Sequence, residues 1–197
     1  MPAVLRSILT LAVFLAALVA STASQAGMLV GTATSQPVGH YDFCKRNRAE
    51  CGPNSAVGPV AMTDRLWAVI IEINAAVNAG IAPKTDDEIY GVPEYWAYPT
   101  TIGDCEDFAL LKQFMLEREG LPRSALLLTV VRQPNGDGHA VLTVATDRGD
   151  IVLDNLDRRA LDWSQTPYRY LKRQSQQDSA KWVSIDDDRD MLVGSVR

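Results

Sequence analysis

The chain has 197 residues, with 19 lysines and arginines against 24 aspartates and glutamates, a formal charge of −5. No basic block offsets this acidic balance, which argues against nucleic acid as a partner. The length suits one domain with a normal-sized core, and I-, L- and V-rich runs are available to fill it.

The first element is a leader. Met1 to Arg6 carries one positive charge, Ile8 to Ala20 is an apolar run of 13 residues, and Ser24-Gln25-Ala26 supplies small side chains. The run is short for a membrane span and fits a secretory signal. Residues 1–26 are therefore expected to be a signal peptide, with an uncleaved anchor as the alternative. Residues 27–197 would form the mature domain, in the periplasm or outside the cell. Its charge would be 18 − 24 = −6, since the leader holds one basic and no acidic residue. Cysteines in an oxidising compartment pair where they can. Cys44 and Cys51 are close enough in sequence to bridge, with two free surface thiols as the alternative reading. Cys105 is left over, and an unpaired thiol there needs a reason.

Residues 27–60 are rich in Gly, Pro, Ser, Thr and Asn and read as an irregular lead-in, with His40 at the surface. Thr63-Asp64 caps a helix whose apolar positions run from Leu66 to Val77 and which stops at Gly80. Asn74 and Asn78 share a face of it, as amides that orient a neighbouring loop. Residues 84–101 form a connector dense in aromatics, either a packed Ω-like loop or a wall of the cleft, with the Trp96 indole N–H near the reaction centre. A second helix spans Cys105 to Glu119 and is ended by Gly120 and Pro122. Strands follow at 125–132, 139–146 and 150–155, with a turn at Asp147-Arg148-Gly149, and weaker ones at 168–171 and 181–185. Asp186-Asp187-Asp188 reads as a solvated acidic turn.

The chemistry centres on Gly103-Asp104-Cys105-Glu106-Asp107. A cysteine in the first turn of a helix faces unpaired N–H groups and the positive end of the dipole, and both favour thiolate. Three adjacent carboxylates oppose this. The conflict eases if Asp104 and Glu106 turn away from the sulfur and hold a divalent cation, most naturally Ca²⁺. The plain alternative is that Asp104 and Asp107 cap the helix while Glu106 is solvated. His139 opens an apolar strand and Asp154 ends the next. An even-length turn between those strands would place both on one sheet face. Cys105 as nucleophile, His139 as base and Asp154 as its orienting acid then form a set for acyl transfer through a thioester, with the Cys105 N–H as an oxyanion donor. Asn155 helps to hold the strand end.

The block from Gly103 to Ala109, followed by His139-Ala140-Val141-Leu142 and Leu153-Asp154-Asn155-Leu156, resembles the bacterial transglutaminase-like cysteine proteinases, the group that contains the periplasmic LapG-type proteases. Phe43-Cys44, Glu50-Cys51, the Asn74/Asn78 helix, Tyr90-Gly91 and Glu94-Tyr95-Trp96 extend the resemblance through most of residues 27–197. It implies an α+β, papain/transglutaminase-like fold in which the nucleophile-bearing helix packs on an antiparallel sheet. It implies Cys105, His139 and Asp154 as the catalytic triad, and Asp104 and Glu106 as Ca²⁺ ligands. It further implies a protein substrate such as a surface adhesin, and an inner-membrane regulatory receptor. A monomeric periplasmic cysteine endopeptidase is the leading expectation. A protein-glutamine acyltransferase and a non-catalytic binding module of the same fold are the alternatives.

Overall fold

The apolar periodicities of the sequence translate into helices laid on one sheet. A computed structural model describes residues 27–55 and 58–188. The expected signal peptide, residues 1–26, lies outside the described residues. In chain order the elements are β1 (Val30–Thr34), α1 (Val38–Arg46), α2 (Asp64–Gly80), β2 (Ala82–Pro83), α3 (Asp86–Tyr90), β3 (Ile102–Gly103) and α4 (Cys105–Arg118). Strands β4 (Leu126–Arg132), β5 (Gly138–Thr146), β6 (Gly149–Leu153), β7 (Leu161–Asp162), β8 (Arg169–Gln174) and β9 (Trp182–Ile185) complete the set.

Seven strands form one antiparallel sheet in the order β1-β9-β8-β4-β5-β6-β7. Successive side chains on a strand face opposite ways, so the long apolar strands feed two cores. Leu126, Leu128, Leu142, Val144, Ile151 and Leu153 pack with Ile70, Ile73 and Val77 of α2 and Phe108 and Leu116 of α4. Val131, Val141, Val152, Tyr170 and Ile185 form a second cluster with Met28. This two-sided burial explains why β4 to β6 read as apolar runs rather than as clean alternation. Helix α2 begins where Thr63 accepts a hydrogen bond from the Leu66 N–H at 3.1 Å. Helix α4 ends at Gly120, whose φ of 94° favours glycine, with Leu121 N–H returning to the Leu116 carbonyl.

The lead-in is more ordered than its composition suggests. It holds β1, α1 and a short 3-10 turn at Arg48–Glu50. Strand β1 pairs with β9 at the sheet edge and is largely exposed, so it shows no hydrophobic alternation. Helix α1 lacks a side-chain N-cap and is tied by the Cys44–Cys51 disulfide, with Cα atoms 5.6 Å apart. The acidic stretch near the end is likewise engaged: Asp187 accepts the Tyr170 N–H at 2.9 Å, and the Asp186 N–H donates to the Leu29 carbonyl.

His40 overturns its expected surface position. It is 1% exposed, its ring stacks on Phe43, and Nδ1 accepts the Trp182 indole N–H at 3.1 Å. Burial first, then the field of Arg123, lowers its pKa from 6.5 to about 4. An unfolded chain regains the ordinary value. Its contribution to stability is thus complete above pH 6.5 and is lost as the pH falls towards 4. The loss should approach about 3 kcal/mol. Urea unfolding across that window is expected to show a steep acid limb that His40→Gln flattens.

Candidate active site

Cys105 is the first residue of α4, and Asp104 is its N-cap. The expected capping by carboxylates does not form. Asp104 makes no side-chain capping bond, and Asp107 instead accepts the Ala97 N–H at 2.7 Å, fastening the connector to the helix. Glu106 departs from expectation too. It does not turn away: Cys105 Sγ donates to Glu106 Oε2 at 3.1 Å. Glu106 is only 6% exposed, so a nearby S–H is a welcome donor in a site with little water. Burial, followed by the Glu106 carboxylate, pushes the thiol well above its ordinary pKa, while the Ala140 backbone N–H opposes that rise.

Asp86 is the residue that spacing did not single out. It opens α3, eighteen positions before Asp104, and is 1% exposed. One carboxylate oxygen of each of Asp86, Asp104 and Glu106 lies within 4.8 Å of the others. Asp86 Oδ2 accepts the Tyr95 N–H, but Asp86 Oδ1 and Asp104 Oδ1 are buried without a hydrogen-bond partner. Burial raises the pKa of both Asp104 and Glu106, and the charge of Asp104 adds to the rise on Glu106. The only hint in the sequence was a Thr85–Glu88 capping box that starts a helix at Asp86.

The hairpin delivers the other two groups. Thr146 pairs with Gly149 across a two-residue turn, and Leu142 pairs with Leu153. That register sets Asp154 opposite Val141, so His139, two residues away, shares its face. His139 Nε2 and Asp154 Oδ1 are 2.8 Å apart, with both side chains buried. The Leu156 N–H donates to Asp154 Oδ1 at 3.0 Å, and the Tyr168 hydroxyl donates to Oδ2. Burial alone would raise the Asp154 pKa, but the bonds from His139, Leu156 and Tyr168 outweigh it and hold the carboxyl below its ordinary value. With the Nε2–H donating to Asp154, Nδ1 is the nitrogen left to accept a proton.

The α2 amides serve the same loop, as their spacing suggested. Asn78 donates to the Asp154 carbonyl at 2.7 Å and Asn74 to the Arg158 carbonyl at 3.2 Å. The Asn155 side-chain oxygen finds no partner, so its expected role at the strand end has no hydrogen bond behind it.

Cys105 and His139 line one cavity of about 530 Å³, together with Glu106, Ala140, Glu94, Trp96, Val38 and Lys172. The connector forms a wall, as expected, and its ends are closed by the parallel pairing of β2 with β3. Trp96 does not offer its N–H to the centre, because that group donates to Glu94 at 3.0 Å. Gly39 of α1 lies so near that a Cβ there would sit 2.3 Å from Trp96 Cδ1.

A half-buried thiol at a helix entrance, sharing a cavity with an imidazole that is hydrogen-bonded to a carboxylate on an antiparallel sheet, defines the transglutaminase-like class of thiol proteins. The bacterial transglutaminase-like cysteine proteinase (BTLCP) profile matches residues 30–190, and the chain belongs to that family. No curated protein sequence shows a significant match. EGTA-treated Legionella pneumophila LapG has a similar fold, with a TM-score of 0.51 at 23% identity over 64% of this chain and 74% of that one. Calcium-bound Legionella pneumophila LapG gives 0.49 at 26% identity, over 55% and 64%. A further Legionella pneumophila LapG structure gives 0.48 at 27%, over 55% and 63%. The chain thus spans 64% and 63% of the length of the last two.

Proposed function

We propose that this chain is a periplasmic cysteine endopeptidase. The observation that carries the reading is the cavity that Cys105 and His139 both line, with Asp154 hydrogen-bonded to His139. In this reading His139 Nδ1 takes the Cys105 proton, and the thiolate attacks a substrate carbonyl. The oxyanion is met by the Cys105 N–H, with the Ala140 N–H beside the sulfur as a second donor of the same kind. The imidazolium protonates the leaving amine, leaving a thioester, and His139 then deprotonates the water that hydrolyses it. Asp154 fixes the tautomer and steadies the imidazolium. Tyr168, the Leu156 N–H and Asn78 keep Asp154 in place.

Asp86, Asp104 and Glu106 fit a hard cation. They are oxygen donors, they crowd together, and two of them carry buried oxygens with no other partner. Asp86 thereby joins Asp104 and Glu106, the two ligands expected from the sequence. Bound Ca²⁺ would supply positive charge beside Cys105 and offset the carboxylate field that, after burial, raises the thiol pKa. The remaining parts of the reading follow from the family resemblance: residues 1–26 as a signal peptide, a surface adhesin as substrate and an inner-membrane receptor as regulator. The disulfide agrees with an oxidising compartment, and no described helix is long and apolar enough to cross a membrane.

Acyl transfer to an amine would proceed through the same thioester. Incubation with casein and a dansylated amine in the presence of Ca²⁺ separates the two. Cleaved casein without label is the expected result. Labelled, intact casein would assign the chain to the acyltransferases instead.

A further inference from the structure

The cavity reaches past Cys105 and His139 to a lysine two strands away. Ala140 of β5 pairs with Val130 of β4, and Val130 pairs with Lys172 of β8. Directly paired residues project from the same sheet face. All three line the cavity, so they make one row of its floor, which begins beside the sulfur and ends at Lys172. Immediately after this pair the register shifts, because β8 carries Leu171 as an extra residue between the partners of Val130 and Val131. Bulges of this kind re-aim the neighbouring side chain and recur beside active sites.

The ammonium is held in place without being neutralised. Lys172 Nζ donates to the Ser35 carbonyl at 2.8 Å and lies 6.0 Å from the centroid of the Trp182 ring. Both partners are uncharged, and the carbonyl uses one of three N–H donors. No ion pair among the described residues includes Lys172. The two carboxylates that share the cavity are engaged elsewhere: Glu106 accepts from Cys105 Sγ, and Glu94 accepts the Trp96 indole N–H. A half-buried, tethered cation has lost part of its hydration, and an incoming carboxylate would restore what it lacks. Strands lie about 4.8 Å apart, so Lys172 stands roughly 10 Å from β5, the reach of about three residues of extended peptide.

We propose that Lys172 is a specificity-determining residue of this cleft, which receives the side-chain carboxylate of an aspartate or glutamate about three residues from the scissile bond. The substrate class is thus an extended polypeptide segment with an acidic residue at that distance. The proposal deepens the peptidase reading and rests on it for the cut.

Digestion of a proteome-derived peptide library by the parent enzyme with Ca²⁺, with cleavage sites read by mass spectrometry, tests it. Aspartate and glutamate should be enriched at least about threefold at one position roughly two to four residues from the cut bond. Lys172→Glu should exchange that preference for lysine and arginine at the same position. Synthetic peptides with aspartate or asparagine there should differ about fivefold in kcat/KM for the parent. The ratio should fall towards parity in Lys172→Met, which keeps a stem beside Trp182 and loses the charge. A merely structural loss slows both peptides alike and leaves the ratio unmoved. No acidic enrichment at those positions, or the same enrichment in Lys172→Glu, overturns the proposal, as does an unmoved ratio in Lys172→Met. A parent that cuts no peptide sinks the peptidase reading, and binding then decides. Fluorescence anisotropy of a fluorescein-labelled peptide of alternating aspartate and alanine should show Cys105→Ala binding at least about fivefold more tightly than Cys105→Ala/Lys172→Glu. Equal affinities overturn the proposal.

Discussion

Cys105→Ala is expected to abolish cleavage, by at least about 10³-fold in kcat, with the fold unchanged by circular dichroism. The sulfur is the only group in the cavity placed to form the thioester, and its removal leaves just the binding cleft and the oxyanion donors. His139→Ala should cost about as much, and the double variant little more, because the two act as one unit. Product release followed by mass spectrometry reads all three. A Cys105→Ala variant that retains activity within tenfold of the parent would exclude thiol catalysis.

Removal of Ca²⁺ is expected to have the second-largest effect. EGTA should suppress cleavage and restored Ca²⁺ should recover it. Asp86→Asn should weaken Ca²⁺ binding at least about tenfold by calorimetry, since one of few protein oxygens loses its charge. The affinity should also depend on pH in a definite sense. Burial lifts the Asp104 pKa from 3.8 to about 6 without the ion, so protons compete with Ca²⁺ increasingly as the pH falls through that value. Calorimetric titrations at pH 7.5 and 5.5 are expected to show weaker binding at the lower pH. Equal affinity for the parent and Asp86→Asn would remove Asp86 from the site.

The parts of the molecule that could be read from the sequence are those governed by local rules. Thr63 starts α2 as a cap, Gly120 ends α4 in a left-handed conformation, and the parity of the β5–β6 turn puts His139 and Asp154 on one face. Each follows from a few consecutive residues. Asp86 and His40 escaped for the opposite reason. Asp86 meets Asp104 and Glu106 only because β2 and β3 pair and bring the two ends of the connector together. His40 is buried only because β9 supplies Trp182 from the far end of the chain. Glu106 escaped for a third reason: helical direction suggested that its side chain leaves the sulfur, but a long flexible carboxylate can fold back to a neighbouring donor. The edge strand β1 was hidden by its exposure and β7 by its two-residue length, rather than by any misleading signal.

The pairing of Cys44 with Cys51 bears on how this molecule is handled. Thiol enzymes are usually kept active with a reductant, and here the same reagent meets two chemically different sulfur centres. Protecting the Cys105 thiol from oxidation while sparing the crosslink calls for mild conditions. Helix α1, which carries Cys44, also contributes Val38 to the rim of the cavity. An excess of dithiothreitol would therefore loosen one side of the cleft while it preserves the sulfur inside, and a drop in rate at high reductant would report on scaffold rather than chemistry.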